Sequence, residues 1–339
     1  MQRETLFQAG FFAISLTVLA VVAAGSLLWI GWFAGWRKRN LCGDASEHLI
    51  TPLPQHFPRW SVFDFLLMFG TMILVGSLLH QTLATDVPVD DAVGNAAVVD
   101  QAPPQDEAPV IEEKPAAEEQ TAAEEKPVTA EKLVTQVQVH FTANLAALGL
   151  TLIFLRLTQS LTLAELSLIP NWNDVRRGLF ATVWILTPVL LINFVVSNLV
   201  PYEHTVTDLM AEQTGLQTFL ALLLSAAVVT PIVEEVQFRL LLQGGLQRIA
   251  DLPVSALSPN SPPPTAWHPT SAWPVYATSV LFAAMHLGQG AAPVPLFFLS
   301  VGLGFLYQRT GRLVPAIVVH MLLNAATLCM EFCRVNAGL

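Results

Sequence analysis

Three short patterns in the last third of the chain set side chains able to do chemistry inside apolar runs. They are Glu234-Glu235-Val236-Gln237-Phe238-Arg239, Phe282-Ala283-Ala284-Met285-His286 and His320-Met321-Leu322-Leu323-Asn324. Ionisable groups in lipid are costly, so each invites a functional reading. Adjacent carboxylates on a helix point about 100° apart, so Glu234 and Glu235 must face different neighbours. Glu235 and Arg239 are four apart and can pair. Glu234 is then free to meet another helix, where a desolvated carboxylate makes a good general base. His320 and Asn324 share a helix face, and both can donate hydrogen bonds to a developing oxyanion. His286 follows Phe282 by one turn, and Ala283 and Ala284 permit close helix approach. Each pattern also has a plainer account: acids satisfied by Arg239 and neighbouring helices, a packing or interfacial histidine, and an interhelical polar clamp. That account must explain three separate segments one by one.

The elements that would hold these residues are membrane spans. Of 339 residues, 53% are hydrophobic and 12% charged, against about 25% charged in soluble chains. Mean hydropathy is +0.54. Runs of ~17–25 apolar residues can cross a bilayer, and eight candidates occur, near 10–34, 62–84, 139–160, 178–200, 216–241, 272–287, 294–307 and 313–332. The sixth and seventh are short, and the fifth is interrupted by Pro231 and Glu234-Glu235. The expected fold is an all-α polytopic transmembrane bundle of about eight spans. The first run is too long for a signal-peptide core and reads as a retained span. Trp29, Trp32 and Trp36 lie where an interfacial aromatic belt would sit.

The net charge of −10 is concentrated in one segment, so no basic face offers itself to nucleic acid. That segment, 86–132, holds Pro103-Pro104, Pro109, Pro115 and Pro127, and repeats Glu-Glu-Lys-Pro at 112–115 and 124–127. It has no aromatics and few large apolar residues, which predicts a disordered acidic linker. An acidic interaction tail is the other reading. The expected organisation is therefore a hairpin over 1–85, a linker over 86–132 and the main bundle over 133–339. Placing 37–60 in the cytoplasm puts eleven of the 16 Lys and Arg residues on or near that side. The positive-inside rule thus expects both termini and the acidic linker outside, in a cell membrane. Cys42, Cys329 and Cys333 form no Cys-x-x-Cys pair and read as packing residues.

Glu-Glu-x-x-x-Arg at 234–239, Phe-x-x-x-His at 282–286 and His-x-x-x-Asn at 320–324 resemble, in order, the three motifs of the CPBP family of intramembrane endopeptidases. That family includes the type II CAAX prenyl endopeptidases, the lysostaphin-resistance-protein-like proteins and bacteriocin-immunity proteins. Residues 304–317, before His320, are similar to the family's usual lead-in, and the resemblance covers about 217–328. It implies that Glu234 and His286 position and deprotonate a water. His320 and Asn324 would steady the oxyanion, while Glu235 and Arg239 hold their helix in register. Many members carry glycine after the motif arginine; Leu240 stands there in this chain. The implied substrate is a lipidated or otherwise membrane-anchored peptide or protein, met in the lipid bilayer. Glu234, His286 and His320 are the candidate ligands should a zinc ion be present. A catalytic zinc wants three ligands in tight geometry, no His-Glu-x-x-His occurs, and the resemblance leans towards a metal-independent glutamate mechanism.

Two other functions compete. A non-catalytic scaffold or immunity protein could keep the same bundle, but the Glu, His, His and Asn set is intact. A transporter would be expected to show internal repeats, and the three motifs have no counterpart in the N-terminal spans. The span boundaries also pose a problem of depth. Glu234 and His320 fall towards the cytoplasmic ends of their spans, whereas His286 falls roughly 12 residues, ~18 Å, into its own. Convergence requires the sixth span to begin deeper or to have other limits.

Overall fold

The computed structural model describes residues 2–42, 50, 52–53, 55–84, 130–200, 209–210, 214–251 and 267–339. Among these residues the named helices are, in order, α1 (Gln2–Cys42), α2 (Val62–Ala84), α3 (Ala130–Gln159), α4 (Trp172–Ser197), α5 (Leu216–Ala250), α6 (Trp273–Ala284), α7 (Pro293–Thr310) and α8 (Leu313–Ala337). Among the described residues the only β interaction is an isolated antiparallel bridge between Gln55 and Trp267. The fold is an all-α polytopic bundle. Residues 86–129 of the expected acidic linker lie outside the described residues, and 130–132 already belong to α3.

Among the described residues six helices, α1 to α5 and α8, are long and apolar enough to cross a membrane. The eight expected spans all correspond to helices, but the sixth and seventh are not full crossings by this measure. α6 has 12 residues, a length of ~18 Å against a hydrocarbon core of ~30 Å. It runs into the turn 285–292 and back through α7. The start of α6 and the end of α7 are tied together, since Gln308 Nε2 on α7 donates to the Ser271 carbonyl at 2.6 Å and Gln247 Nε2 on α5 donates to the same carbonyl at 2.9 Å. The pair is thus a hairpin whose two ends lie beside the end of α5. The parity of crossings before α8 is the same as for eight full spans.

The turn depends on Gly288 and Gly290, with φ of +95° and +55°. Left-handed backbone of this kind excludes most side chains. Pro274 and Pro293 stand in the first turns of α6 and α7, where a missing N–H costs nothing.

The apolar core follows from which helices surround α5. Its largest cluster joins Phe65 and Met68 of α2, Leu155 of α3, Val236, Phe238 and Leu241 of α5, and Phe282 of α6. A second cluster packs α4 against α7 and α8 through Leu186, Leu299, Leu303 and Val319. The α4 contact is close, for a Cβ on Gly178 would lie 2.7 Å from Val318 Cβ.

The joint between α7 and α8 is fixed by charge. Asp174, fully buried at the start of α4, accepts from Arg312 Nη2 at 2.6 Å and from Arg177 Nη1 at 3.0 Å. Asn171 caps the same helix by accepting from the Asp174 amide at 3.0 Å. This network holds the first turn of α8, and with it the approach of His320 to α5.

Candidate active site

The site is built on α5, which is not a uniform helix. α-helical turns at Leu216–Leu222, Thr230–Glu234 and Gly244–Ala250 alternate with π-helical stretches at Leu223–Val229 and Glu235–Gln243. π-turns inside α-helices are rare and cluster at functional sites. Their cost is a backbone carbonyl skipped where the register changes. The Thr230 N–H bonds the Ser225 carbonyl, five residues back. The next residue, Pro231, has no N–H to give. The Ala226 carbonyl therefore has no donor within the helix, and Asn324 on α8 supplies one, its Nδ2 donating at 2.9 Å.

The short α-turn between the two π-stretches ends on Glu234 and the second π-stretch opens on Glu235, so the paired glutamates straddle the change of register beside α8. They have different surroundings, as a 100° separation requires. The Glu235 side chain is fully buried, whereas that of Glu234 is 21% exposed. His320, itself buried, lies between them. Its Nδ1 is 3.0 Å from Glu235 Oε1 and its Nε2 is 3.5 Å from Glu234 Oε2. With Glu235 ionised, a carboxylate on each side places a ring proton on Nδ1. It also obliges a proton to sit on either His320 Nε2 or Glu234 Oε2, because two lone pairs would repel.

Glu235 Oε2 completes a second contact, 3.1 Å from Arg239 Nε. The approach lies off the N–H direction, so it is an ion pair by distance without a well-directed hydrogen bond. The fully buried guanidinium of Arg239 also lies over the Phe282 ring, 5.3 Å from its centroid. Spacing alone foresaw the Glu235–Arg239 pair, but not His320 as the partner on the other side of Glu235.

His286 lies one residue beyond the C-cap of α6, in the turn. α6 has only 12 residues, and its C-terminal end meets the other motif residues, with the Phe282 ring 4.9 Å from that of His286 and 6.1 Å from that of His320. The convergence expected of the three patterns is therefore met by a sixth element shorter than a full span. His286 Nδ1 is 2.8 Å from the Phe282 carbonyl. A carbonyl only accepts, so Nδ1 holds the proton and Nε2 of the neutral ring keeps its lone pair. His286 and His320 both lie within electrostatic range of Glu234.

Phe282 is the apolar hub that keeps these groups apart at fixed distances. Fully buried, it meets the rings of His286 at 4.9 Å, Phe238 at 5.1 Å and His320 at 6.1 Å. The sequence reading treated it only as a neighbour of His286. Its position four residues before His286 was the available signal. The Ala226 carbonyl was also missed, although Pro231 inside an apolar helix marks an orphaned carbonyl four or five residues upstream.

Among the described residues no three His, Cys, Asp or Glu side chains converge closely enough to hold an ion. The bonds of His320 Nδ1 to Glu235 and of His286 Nδ1 to a backbone carbonyl leave Nε2 of each ring as its remaining donor atom. A zinc site needs three such donors aimed at one point.

Residues 216–326 match the family model described as type II CAAX prenyl endopeptidase Rce1-like. The match begins with α5 and ends within α8, so it contains Glu234, Glu235, Arg239, His286, His320 and Asn324. No curated protein matches the chain, and no solved structure does.

Proposed function

We propose, from an Rce1-like domain over 216–326 set within a bundle of membrane-crossing helices, that the chain is an intramembrane endopeptidase of metal-independent glutamate chemistry. The observation that carries the reading is the junction of Glu234 and Glu235 at His320, whose Nε2 is 3.5 Å from Glu234 and whose Nδ1 is 3.0 Å from Glu235. Glu234 is the accessible acid and Glu235 the buried one, so the two take different roles.

In this reading a water lies between Glu234 and the Nε2 lone pair of His286. Glu234 accepts a proton as the water oxygen attacks the scissile carbonyl carbon. The carbonyl oxygen becomes an oxyanion and accepts from His320 Nε2–H, held in place by the bond from Nδ1 to Glu235. Asn324 has one N–H engaged with Ala226 and a second left for the oxyanion. The intermediate collapses by breaking the C–N bond, and Glu234 returns its proton to the leaving amine. Arg239 balances the buried charge of Glu235 and touches no reacting atom. The substrate is a peptide or protein held in the bilayer by a lipid or an apolar anchor. The host membrane is proposed to be the cell membrane, with the acidic segment outside.

Incubation of the purified protein in nanodiscs with a library of membrane-tethered peptides tests this. Cleavage by the unaltered chain, unaffected by a chelator and lost in Glu234→Gln and His286→Ala, is the expected result. Equal cleavage by the folded variants overturns the site, and loss with chelator brings a metal into the mechanism.

A further inference from the structure

The second π-stretch ends on a bypassed carbonyl as the first does, but its donor comes from outside the Rce1-like segment. The Gly244 N–H bonds the carbonyls of Arg239 and Leu241 and passes over Leu240. The Leu240 carbonyl instead accepts from the indole Nε1 of Trp60 at 2.5 Å. Trp60 precedes α2 and is buried in the same apolar cluster as Phe238, Leu241 and Phe282.

The surface of α5 is shaped to admit this contact. A Cβ on Gly244 would lie 2.5 Å from Trp60 Nε1, and a Cβ on Gly245 would lie 2.6 Å from the Val62 amide nitrogen. The glycine pair thus opens a groove in which residues 60–62 lie. Arg248 Nη1 anchors the same segment by donating to the Arg59 carbonyl at 2.7 Å. Further along, the Leu53 amide donates to the Arg309 carbonyl at 2.9 Å and Gln55 Nε2 to the Gln308 carbonyl at 2.7 Å.

We infer that Trp60 is a positioning residue for the proposed hydrolytic site, and that the segment before α2 is a working part of it. The inference rests on the hydrolase reading. The physical link is helix register. A π-turn holds one residue more than an α-turn, and without a donor its bypassed carbonyl is an unpaired buried acceptor. Reversion to α register removes that penalty, and it rotates the residues on one side by about 100° relative to the other. Glu235 opens this stretch and Arg239 lies within it. A change of register there moves Glu235 away from His320 Nδ1 and frees the ring that faces Glu234. Trp60 thus serves the second π-stretch as Asn324 serves the first.

The test removes one N–H and keeps the shape. Trp60 is replaced by its sulfur isostere β-(3-benzothienyl)alanine, with Trp60→Phe as a genetic counterpart. The full-length protein is placed in nanodiscs with 15N-labelled histidine, and His320 is assigned by difference with His320→Gln. The expected result is a shift of the His320 ring nitrogens, with kcat for a peptide cut by the unaltered chain reduced about tenfold and KM unchanged. An unmoved His320 resonance overturns the inference whether or not a cleaved peptide is found. Unchanged kcat in the isostere, while Glu234→Gln is inactive, also overturns it and leaves the hydrolase reading standing. Equal cleavage by Glu234→Gln and the unaltered chain overturns that reading instead, and the resonance then decides the inference alone.

Discussion

Asn324 donates to the Ala226 carbonyl across the interface of α5 and α8 at 2.9 Å, and Pro231 is the reason that carbonyl is free. The relationship predicts a coupling. Asn324→Ala alone leaves a buried acceptor unpaired and should cost about 1–3 kcal/mol. Pro231→Ala restores an N–H to α5 and gives the helix a donor of its own. In that background Asn324→Ala should cost about 1 kcal/mol less. Thermal unfolding of the two single variants and the double variant measures this. Additive losses would show that Asn324 has another structural duty.

The two adjacent glutamates should separate cleanly in stability and turnover. Glu234 is partly exposed, and Glu234→Gln should leave the unfolding temperature nearly unchanged while turnover falls by about 10²–10⁴. Glu235 is buried between His320 and Arg239, so Glu235→Gln strands a buried guanidinium. Breaking such a pair from one side costs about 3–5 kcal/mol. Calorimetry beside a cleavage assay checks both, and a destabilised Glu234→Gln with a stable Glu235→Gln would reverse the assignment.

The bundle and its motif residues were legible from the sequence because lipid leaves a strong signature. Long apolar runs mark spans, and charges within them stand out. The pairing of Glu235 with Arg239 followed from helical spacing, and the structure contains it at 3.1 Å. What was not legible depends on departures from regular geometry. Uniform helical spacing gives no sign of two π-stretches, so it could not foresee the bypassed carbonyls of Ala226 and Leu240 or their donors. The length of an apolar run likewise does not give the form of the turn between α6 and α7, which Gly288 and Gly290 shape through positive φ. Trp60 was beyond reach, since its partner lies 180 residues away and the contact is to a main-chain atom.

The hairpin turn supplies a test that touches no chemical group. Gly288 has φ of +95°, and a Cβ added there meets nothing within 4 Å. Any cost of Gly288→Ala is therefore backbone strain, about 1–3 kcal/mol. His286 lies two residues earlier, so the strain should also displace the ring that bonds the Phe282 carbonyl. Both the unfolding temperature and turnover should fall. Full activity in Gly288→Ala would mean that the turn does not set His286.

A pH effect is expected away from the membrane core, where Glu165 lies between α3 and α4. Its Oε2 accepts from the Thr162 hydroxyl and amide, both at 2.8 Å, and its Oε1 from Arg59 at 2.6 Å. The Thr162 hydroxyl, then the Thr162 amide and Arg59, hold the carboxyl below the ordinary glutamate range. A depressed value in the folded state means that the tether from Arg59 to the α3–α4 loop is fully present above the ordinary glutamate pKa of about 4.3. It is lost as pH falls through the lower, folded-state value. Its effect on global stability should be slight, because the pair is exposed. Local exchange of the Thr162 amide should nonetheless rise as the carboxyl is protonated. Thr162→Val removes the largest stabilising contact and should move the midpoint upward, towards the ordinary value. A carbon-13 titration of the Glu165 carboxyl reads that midpoint directly. An unmoved midpoint in Thr162→Val would assign the depression to Arg59 and the amide instead.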